Sequence, residues 1–267
     1  MRLIVTRPRR EAAKWVQDLR GAGWEALALP LIEIGPVSDV RPVARAWSMA
    51  GNCAALMFVS ANAVRYFFEE KPAESLVFSD DIAIKTRAWT TGPGTAAALR
   101  AVGVSPHLID CPDPQSPQLD SEALWQVVGP QVAEGERVLI VRGRDRDRAI
   151  PDAPDTGVGR EWLAQQLRGA GARPEFVVAY ERGLPVLTTA DRALAEQACR
   201  DGSVWLFSSA EAIANLGACF PEANWTPARA VATHPRIAAA ARGLGFGQVK
   251  ESPPGLSGVL SSIESWQ

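Results

Sequence analysis

The residues of this chain that could do chemistry lie at six similar places, each close behind a short apolar run. Thr6, Arg7 and Pro8 follow "RLIV"; Ser60, Ala61 and Asn62 follow "LMFV"; Gly92, Pro93, Gly94 and Thr95 follow "RAWT". Arg142 and Gly143 follow "RVLIV"; Ser208, Ser209 and Ala210 follow "VWLF"; His234, Pro235 and Arg236 follow "RAVAT". These are small and hydroxylated residues with a few arginines, and almost none is suited to strong acid or base work. What they offer is anion binding, since backbone N–H groups at a helix start favour negative charge by roughly 0.3–1 kcal/mol each when exposed. Useful affinity then needs several loops acting together. "GPGT" (92–95) lacks the lysine and length of GxxxxGK[ST] and the spacing of GxGxxG, so it does not read as a nucleotide loop. Ser60 and Ser209 also have a plain reading as helix N-caps, worth about 1 kcal/mol each, and capping is compatible with ligand contact.

Elements that could position these residues are legible in the spacing. The apolar runs are short and do not alternate, as expected of strands buried on both faces of a parallel sheet. Helices follow them. In "EAAKWVQDLRGAG", Ala12, Trp15, Val16 and Leu19 share one face, and Gly21 or Gly23 offers a left-handed stop. In "GREWLAQQLRGAG", Trp162, Leu163 and Leu167 point inward, and Gly169 or Gly171 closes the helix. Strand followed by helix, several times over, predicts an α/β fold of parallel sheets flanked by helices, with right-handed crossovers. Two branched, Pro-punctuated segments, 26–39 and 175–187, read as connectors leaving one sheet for another, and 105–121 and 145–159 read as surface loops.

The chain also repeats itself. "LRGAG" occurs at 19–23 and 167–171, "FVSANAV" (58–64) is echoed by "FSSAEAI" (207–213), and "TTGPGTAAALRAVG" (90–103) by "ATHPRIAAAARGLG" (232–245). Three matches in the same order at nearly constant separation imply a duplicated half. At roughly 100–200 residues per domain, 267 residues also point to two domains. Hydrophobic residues make up 47% of the chain and charged residues 22%, enough for a real core. A net charge of -2 provides no field toward nucleic acid or a membrane surface, so neither is an expected partner. Cys53, Cys111, Cys199 and Cys219 form no CxxC pair, and with His107 and His234 they give no metal-ligand spacing, so no metal is expected. The N-terminus has too few apolar residues for a signal peptide, and no run approaches a membrane span. The expected location is the cytoplasm.

Taken jointly, "VTRP" (5–8), "FVSANAV", "GPGTAAAL" (92–99), "VRG" (141–143), "GREWLAQQLRGAGA" (159–172), "VVAYER" (177–182), "FSSAEAI" and "ESPP" (251–254) resemble the uroporphyrinogen-III synthase family. The motifs are individually degenerate, and they span the whole chain in family order. The resemblance implies a cofactor-free lyase of porphyrin and heme biosynthesis acting on the linear tetrapyrrole hydroxymethylbilane. The substrate loses its terminal hydroxyl, its last pyrrole ring is inverted through a spirocyclic intermediate, and the macrocycle closes. Also implied are two similar α/β domains joined by a two-stranded hinge, with the active site in the inter-domain cleft. The boundaries that follow are 1–36 plus 184–267 for one domain and 37–183 for the other. The expected state is a monomer, with transient contact to the preceding pathway enzyme compatible with an unstable substrate.

By the same resemblance, Tyr180 in "VVAYER" is the side chain placed to assist departure of the hydroxyl, and Thr95 lines the cleft. A phenol with an ordinary pKa near 10 is a poor base at neutral pH and can still donate a proton. The alternative for Tyr180 is packing in the connector, and for Thr95 a first-turn helix position. Arg7 and Arg142 are candidate carboxylate partners, with solvated or structural arginine as the alternative. Ser60, Asn62, Gly94, Gly143, Ser208, Ser209, Pro235 and Ser252 complete the expected substrate-binding set. The sequence departs from the family at His234, Pro235, Arg236 and Ile237, where Gly-Pro followed by Thr-Thr is usual. The stretch 144–158 is longer than the family's short turn. Those departures leave open a catalytically inactive synthase-like domain that binds or senses a polycarboxylate.

Overall fold

Every apolar run singled out above is a strand in the computed structural model, which describes residues 1–75, 78, 86–113, 116, 118–147 and 160–266. In chain order come β1 (Arg2–Val5), α1 (Arg9–Gly21), β2 (Glu25–Ala28), β3 (Glu33–Pro36), α2 (Arg41–Ala50), β4 (Ala55–Phe58) and α3 (Ala61–Glu69). Then follow β5 (Arg87–Trp89), α4 (Pro93–Ala101), β6 (Ile109–Asp110), α5 (Ser121–Val128), β7 (Arg137–Asp145), α6 (Glu161–Gly169) and β8 (Arg173–Gly183). The last are α7 (Thr189–Ala198), β9 (Val204–Phe207), α8 (Ala210–Cys219), β10 (Arg229–Ala232), α9 (Pro235–Leu244), β11 (Gln248–Glu251) and α10 (Leu256–Glu264). The chain divides into two units, Met1–Ile34 with Gly183–Gln267, and Gly35–Arg182. No helix among the described residues is long and apolar enough to cross a membrane.

The first unit holds a five-stranded parallel sheet in the order β11, β10, β9, β1, β2. Its strands are apolar on both faces, and the alternation is in space instead of hydropathy. Ile4, Trp205, Phe207, Ala230 and Ala232 pack on one side with Ala195, Ile213, Leu216 and Ile237 from α7, α8 and α9. Leu3, Val5, Val204, Leu206 and Val231 pack on the other with Ala12 and Leu19 of α1 and Val259 and Ile263 of α10. Trp15 and Val16 join that second cluster partly buried, so the predicted face of α1 is the one that packs. Gly23, at φ 87°, is the left-handed residue after α1.

A six-stranded sheet carries the second unit, in the order β3, β8, β7, β4, β5, β6, and the pairings from β8 through β6 are parallel. Met57, Trp89, Val138 and Ile140 meet Leu124, Val128, Leu163 and Leu167 of α5 and α6 on one face. Beside β4, α2 and α3 meet through Trp47, whose ring stacks on Phe67 at 4.5 Å while its Nε1 donates to the Phe67 carbonyl at 2.7 Å. Gly171, at φ 80°, follows α6. The 105–121 stretch, expected to be loop throughout, contains the edge strand β6: Asp110 is buried there and accepts two hydrogen bonds from Arg87. Composition rich in Pro hides a two-residue strand because so short a pairing needs no β-forming run. Of the 145–159 stretch, residues 148–159 lie outside the described residues.

Leaving out β3, the second sheet reads β6, β5, β4, β7, β8, which is the order β11, β10, β9, β1, β2 with each strand replaced by its sequence echo. The duplication thus appears as topology. Each repeat contributes its first two strands to one unit and its last three to the other.

Cys53, just before β4, is almost fully buried, and burial pushes its thiol pKa up from 9.0 to about 11. Well below pH 9 the thiol is neutral in both states and contributes no pH dependence. Above pH 9 the unfolded chain ionises first and binds fewer protons than the folded one, and stability falls as pH rises from about 9 to 11. Urea titrations of Cys53→Ala against the parent chain are expected to show a shallower loss of stability over that range.

Candidate active site

In open parallel sheets a ligand sits beyond the carboxyl ends of strands, where the strand order reverses. In the second unit that reversal falls between β4 and β7, because β4, β5 and β6 run one way from it and β7 and β8 the other. In the first it falls between β9 and β1. The strand ends, loops and helix starts at these two places contain Ser60, Asn62, Arg142 and Gly143, and Arg7, Ser208 and Ser209, respectively.

The constellation in the second unit is built around Tyr180. β7 and β8 pair in register from Arg137 with Arg173 to Arg142 with Val178, then slip so that Gly143 faces Tyr180, leaving Ala179 as an extra residue. A bulge of this kind re-aims the side chains beyond it. Tyr180 consequently stands over Gly143 so closely that a Cβ there would lie 2.4 Å from the ring carbon Cζ. On its other sides Tyr180 stacks with Tyr66 of α3, with centroids 6.1 Å apart, and its hydroxyl is 3.2 Å from Ser60 Oγ. Tyr180 is only 6% exposed. Ser60 is the N-cap of α3, its Oγ accepting from Ala63 N at 3.1 Å. The two readings of Ser60 are thus one arrangement: the cap fixes the oxygen, and its hydroxyl proton is available for the phenol oxygen.

The start of α4 differs. Its N-cap is Gly92, which has no side chain to cap with, and Pro93 occupies the first turn. By helix geometry the N–H groups of Gly94 and Thr95 then have no intrahelical acceptor. Gly94 is exposed and Thr95 half-buried. Neither Thr95 nor Asn62, also half-buried, has a side-chain hydrogen bond within the described residues. The echo of this loop in the first unit is closed: His234 caps α9 with Nδ1, accepting from Arg236 N at 3.1 Å, and Pro235 is exposed beside it. The histidine that departs from the family pattern is therefore the cap of this helix.

Arg142 is not placed as a carboxylate clamp. It is 3% exposed, its guanidinium lies 3.9 Å from the Phe176 ring centroid, and Nη1 donates to Glu161 Oε1 at 2.9 Å. Burial pushes its pKa down, with Glu161 opposing. The reason is alternation: Arg142 falls on the same face of β7 as Val138 and Ile140, which pack against α6. Arg144, two residues on, is paired with Glu181. In the first unit, Arg7 lies over Trp15 at 4.5 Å and pairs with Glu11 at 3.1 Å. Arg7, Ser208 and Thr233 line one small hollow with Trp15. Ser209 caps α8 through Glu211 N at 3.1 Å. Ser252 is buried and donates to the Pro253 carbonyl at 2.8 Å, so its hydroxyl is turned onto its own loop.

Sequence reading missed Tyr66, Thr91, Ser121 and Arg160. Tyr66 carries a signal in retrospect, being on the buried face of α3 one turn and a half from its start; the others depend on long-range pairing. A hollow of about 600 Å³ exists elsewhere in the second unit, lined by Cys53, Thr86, Arg87, Trp89, Gln131 and Arg137 among others. It lies at the amino ends of β4, β5 and β7, the wrong end for the reversal argument. Its size does not locate the chemistry.

Residues 13–258 match the family model described as uroporphyrinogen-III synthase HemD. The uroporphyrinogen-III synthase of Escherichia coli (strain K12) is 27% identical over 257 residues, covering 94% of each chain. That of Salmonella typhimurium (strain LT2) is 25% identical over 257 residues, again 94% of each. Among solved structures, uroporphyrinogen-III synthetase from Helicobacter pylori 26695 superposes with a TM-score of 0.52 at 20% identity, covering all of both chains. A mutant uroporphyrinogen III synthase from the extremely thermophilic bacterium Thermus thermophilus gives 0.53 at 19%, covering 99% of this chain and 98% of the other. At those identities the structural likeness speaks for the fold.

The close approach at Gly143 yields a direct test. Gly143→Ala is expected to cost about 1–3 kcal/mol by overpacking and to drive the Tyr180 ring off Ser60. A crystal structure of the variant, with urea denaturation, checks both; an unmoved ring contradicts the packing account.

Proposed function

The chain belongs to the uroporphyrinogen-III synthase family, and from that premise we propose that it converts hydroxymethylbilane to uroporphyrinogen III using Tyr180 as the proton donor. The observation that carries the assignment is the phenol of Tyr180, fixed between Gly143, Tyr66 and Ser60. As the C–O bond of the terminal hydroxymethyl group breaks, the phenol gives its proton to the departing oxygen, which leaves as water. The Ser60 hydroxyl donates to the phenol oxygen as negative charge develops there. The cationic bilane then attacks itself through the substituted position of its last ring, the spirocyclic intermediate reopens with that ring inverted, and closure releases a proton.

Such a substrate needs a shaped, anion-binding environment more than a nucleophile. Asn62, Gly94 and Thr95 are assigned to its carboxylates in the second unit, and Arg7, Ser208 and Ser209 in the first; Pro235, which has no N–H to donate, is assigned only a packing contact with the substrate. Arg142, Gly143 and Ser252 are assigned to holding the loops. The protein is proposed to work as a cytoplasmic monomer without a cofactor, in transient contact with the enzyme that supplies the bilane.

Incubation with freshly made hydroxymethylbilane, followed by oxidation and isomer analysis, tests the activity. Uroporphyrin III is expected; isomer I alone, the uncatalysed product, defeats the proposal and leaves a binding domain. Positioned proton transfer contributes about 10²–10⁴-fold, so Tyr180→Phe is expected to lower kcat by about 10² or more while leaving the fold intact by circular dichroism. Undiminished turnover removes Tyr180 from the mechanism.

A further inference from the structure

Two hydroxyls from separate elements beyond the six-stranded sheet meet at one guanidinium. Arg160 stands immediately before α6 with φ at 70°, in the left-handed region. For a side chain other than glycine that conformation is strained. The side chain does not cap the helix that follows it. Nη1 donates instead to Ser121 Oγ at 3.0 Å, and Nη2 to Thr91 Oγ1 at 2.8 Å. Ser121 opens α5 and Thr91 directly precedes Gly92; both are buried. Thr91 after β5, Ser121 at the start of α5 and Arg160 at the start of α6 are thereby tied together.

The chemistry of this tie is unusual for a purely structural one. Among the described residues no carboxylate forms an ion pair with Arg160. Asp120, Glu122 and Glu161 act on it only at longer range, and burial pushes its pKa down. Both direct partners are neutral hydroxyls. A serine, aspartate or glycine at the same place would cap α6 without desolvating a cation, and glycine would also remove the backbone strain. What only the planar guanidinium provides is a rigid fork that spans two acceptors at once, which a lysine ammonium on its flexible stem does not reproduce. One of those acceptors, Thr91, fixes the turn from which α4 starts. Because Gly92 offers no cap, the direction of that turn alone aims the first N–H groups of α4 and the hydroxyl of Thr95.

We propose that Arg160 is a positioning residue for the reaction: through Thr91 it fixes the 90–92 turn, and with it the aim of the α4 start and Thr95 toward substrate. Arg160 itself does not touch the bilane. This rests on the reading that the α4 start holds a substrate carboxylate.

Arg160→Gly is the informative variant, since glycine adopts φ near 70° without strain while the guanidinium is lost. In the substrate-free protein the amide resonances of Thr91, Gly92, Gly94 and Thr95 are expected to shift and broaden, with Arg160→Lys restoring part of the native pattern. With hydroxymethylbilane, KM is expected to rise about tenfold and kcat to change by less than about threefold, the mark of lost binding that substrate and transition state share. A merely structural role lowers the thermal midpoint and leaves KM unmoved. If Arg160→Gly does not fold, Thr91→Val cuts the same link from its other end and is expected to move the Gly92, Gly94 and Thr95 resonances in the same way. Unmoved resonances overturn the positioning role whatever the enzyme does. Moved resonances with unchanged KM overturn its part in the reaction. A parent chain that makes only isomer I defeats the synthase reading, and the resonances still decide whether Arg160 fixes the turn.

Discussion

The approach of the Tyr180 ring onto Gly143 is the constraint on which the candidate site depends. No side chain fits at position 143, and none is needed, because the phenol takes that space. The slip at Ala179 brings the two face to face. Before the slip, Arg142 is turned under α6 onto Phe176; after it, Arg144 is turned onto Glu181. Side chains alternate along β7, so Arg142 and Arg144 flank Gly143 as two braces beside a bare platform, and the inserted residue in β8 puts Tyr180 over that platform. The cap of α3 supplies the remaining contact, since the oxygen that accepts from Ala63 N also meets the phenol. The proposed catalytic contact and the helix cap share an atom.

The same order of strands in both units explains why hydroxyls and open helix starts recur at the strand ends. Each sheet reverses direction once, and the loops flanking that reversal are where a ligand meets backbone donors. Duplication supplied two such places, and they have diverged. Gly92 leaves α4 open, whereas His234 closes α9 with its own ring nitrogen. Tyr180 has no phenol counterpart in the first unit: the separation of the two LRGAG copies puts its place at Ile32, beyond the end of β2. In the proposed division, therefore, one unit does the chemistry and both hold carboxylates.

How much of this could be read from the sequence follows from which interactions are local. Strands buried on both faces announce themselves as unbroken apolar runs, so β1, β4, β5, β7, β9 and β10 were legible, as were the inward faces of α1 and α6. Ser60 and Ser209 as caps were legible because a cap needs only the next few residues. The slip at Ala179 was not, since nothing in "VVAYER" distinguishes a bulged strand from a regular one. Arg142 reads as an exposed arginine until its face of β7 is seen packed against α6. Arg160 reads as the first residue of a helix until its partners, 69 and 39 residues away in sequence, are in view. Family resemblance reached Tyr180, but only packing shows why Gly143 accompanies it.

The central claim is that Ser60 works through Tyr180, donating to the phenol oxygen as its proton leaves. Single-turnover rates for Ser60→Ala, Tyr180→Phe and the double variant measure this most directly. The account predicts that Ser60→Ala slows the parent enzyme and adds almost nothing once Tyr180 has lost its hydroxyl. Independent effects that multiply in the double variant would contradict it.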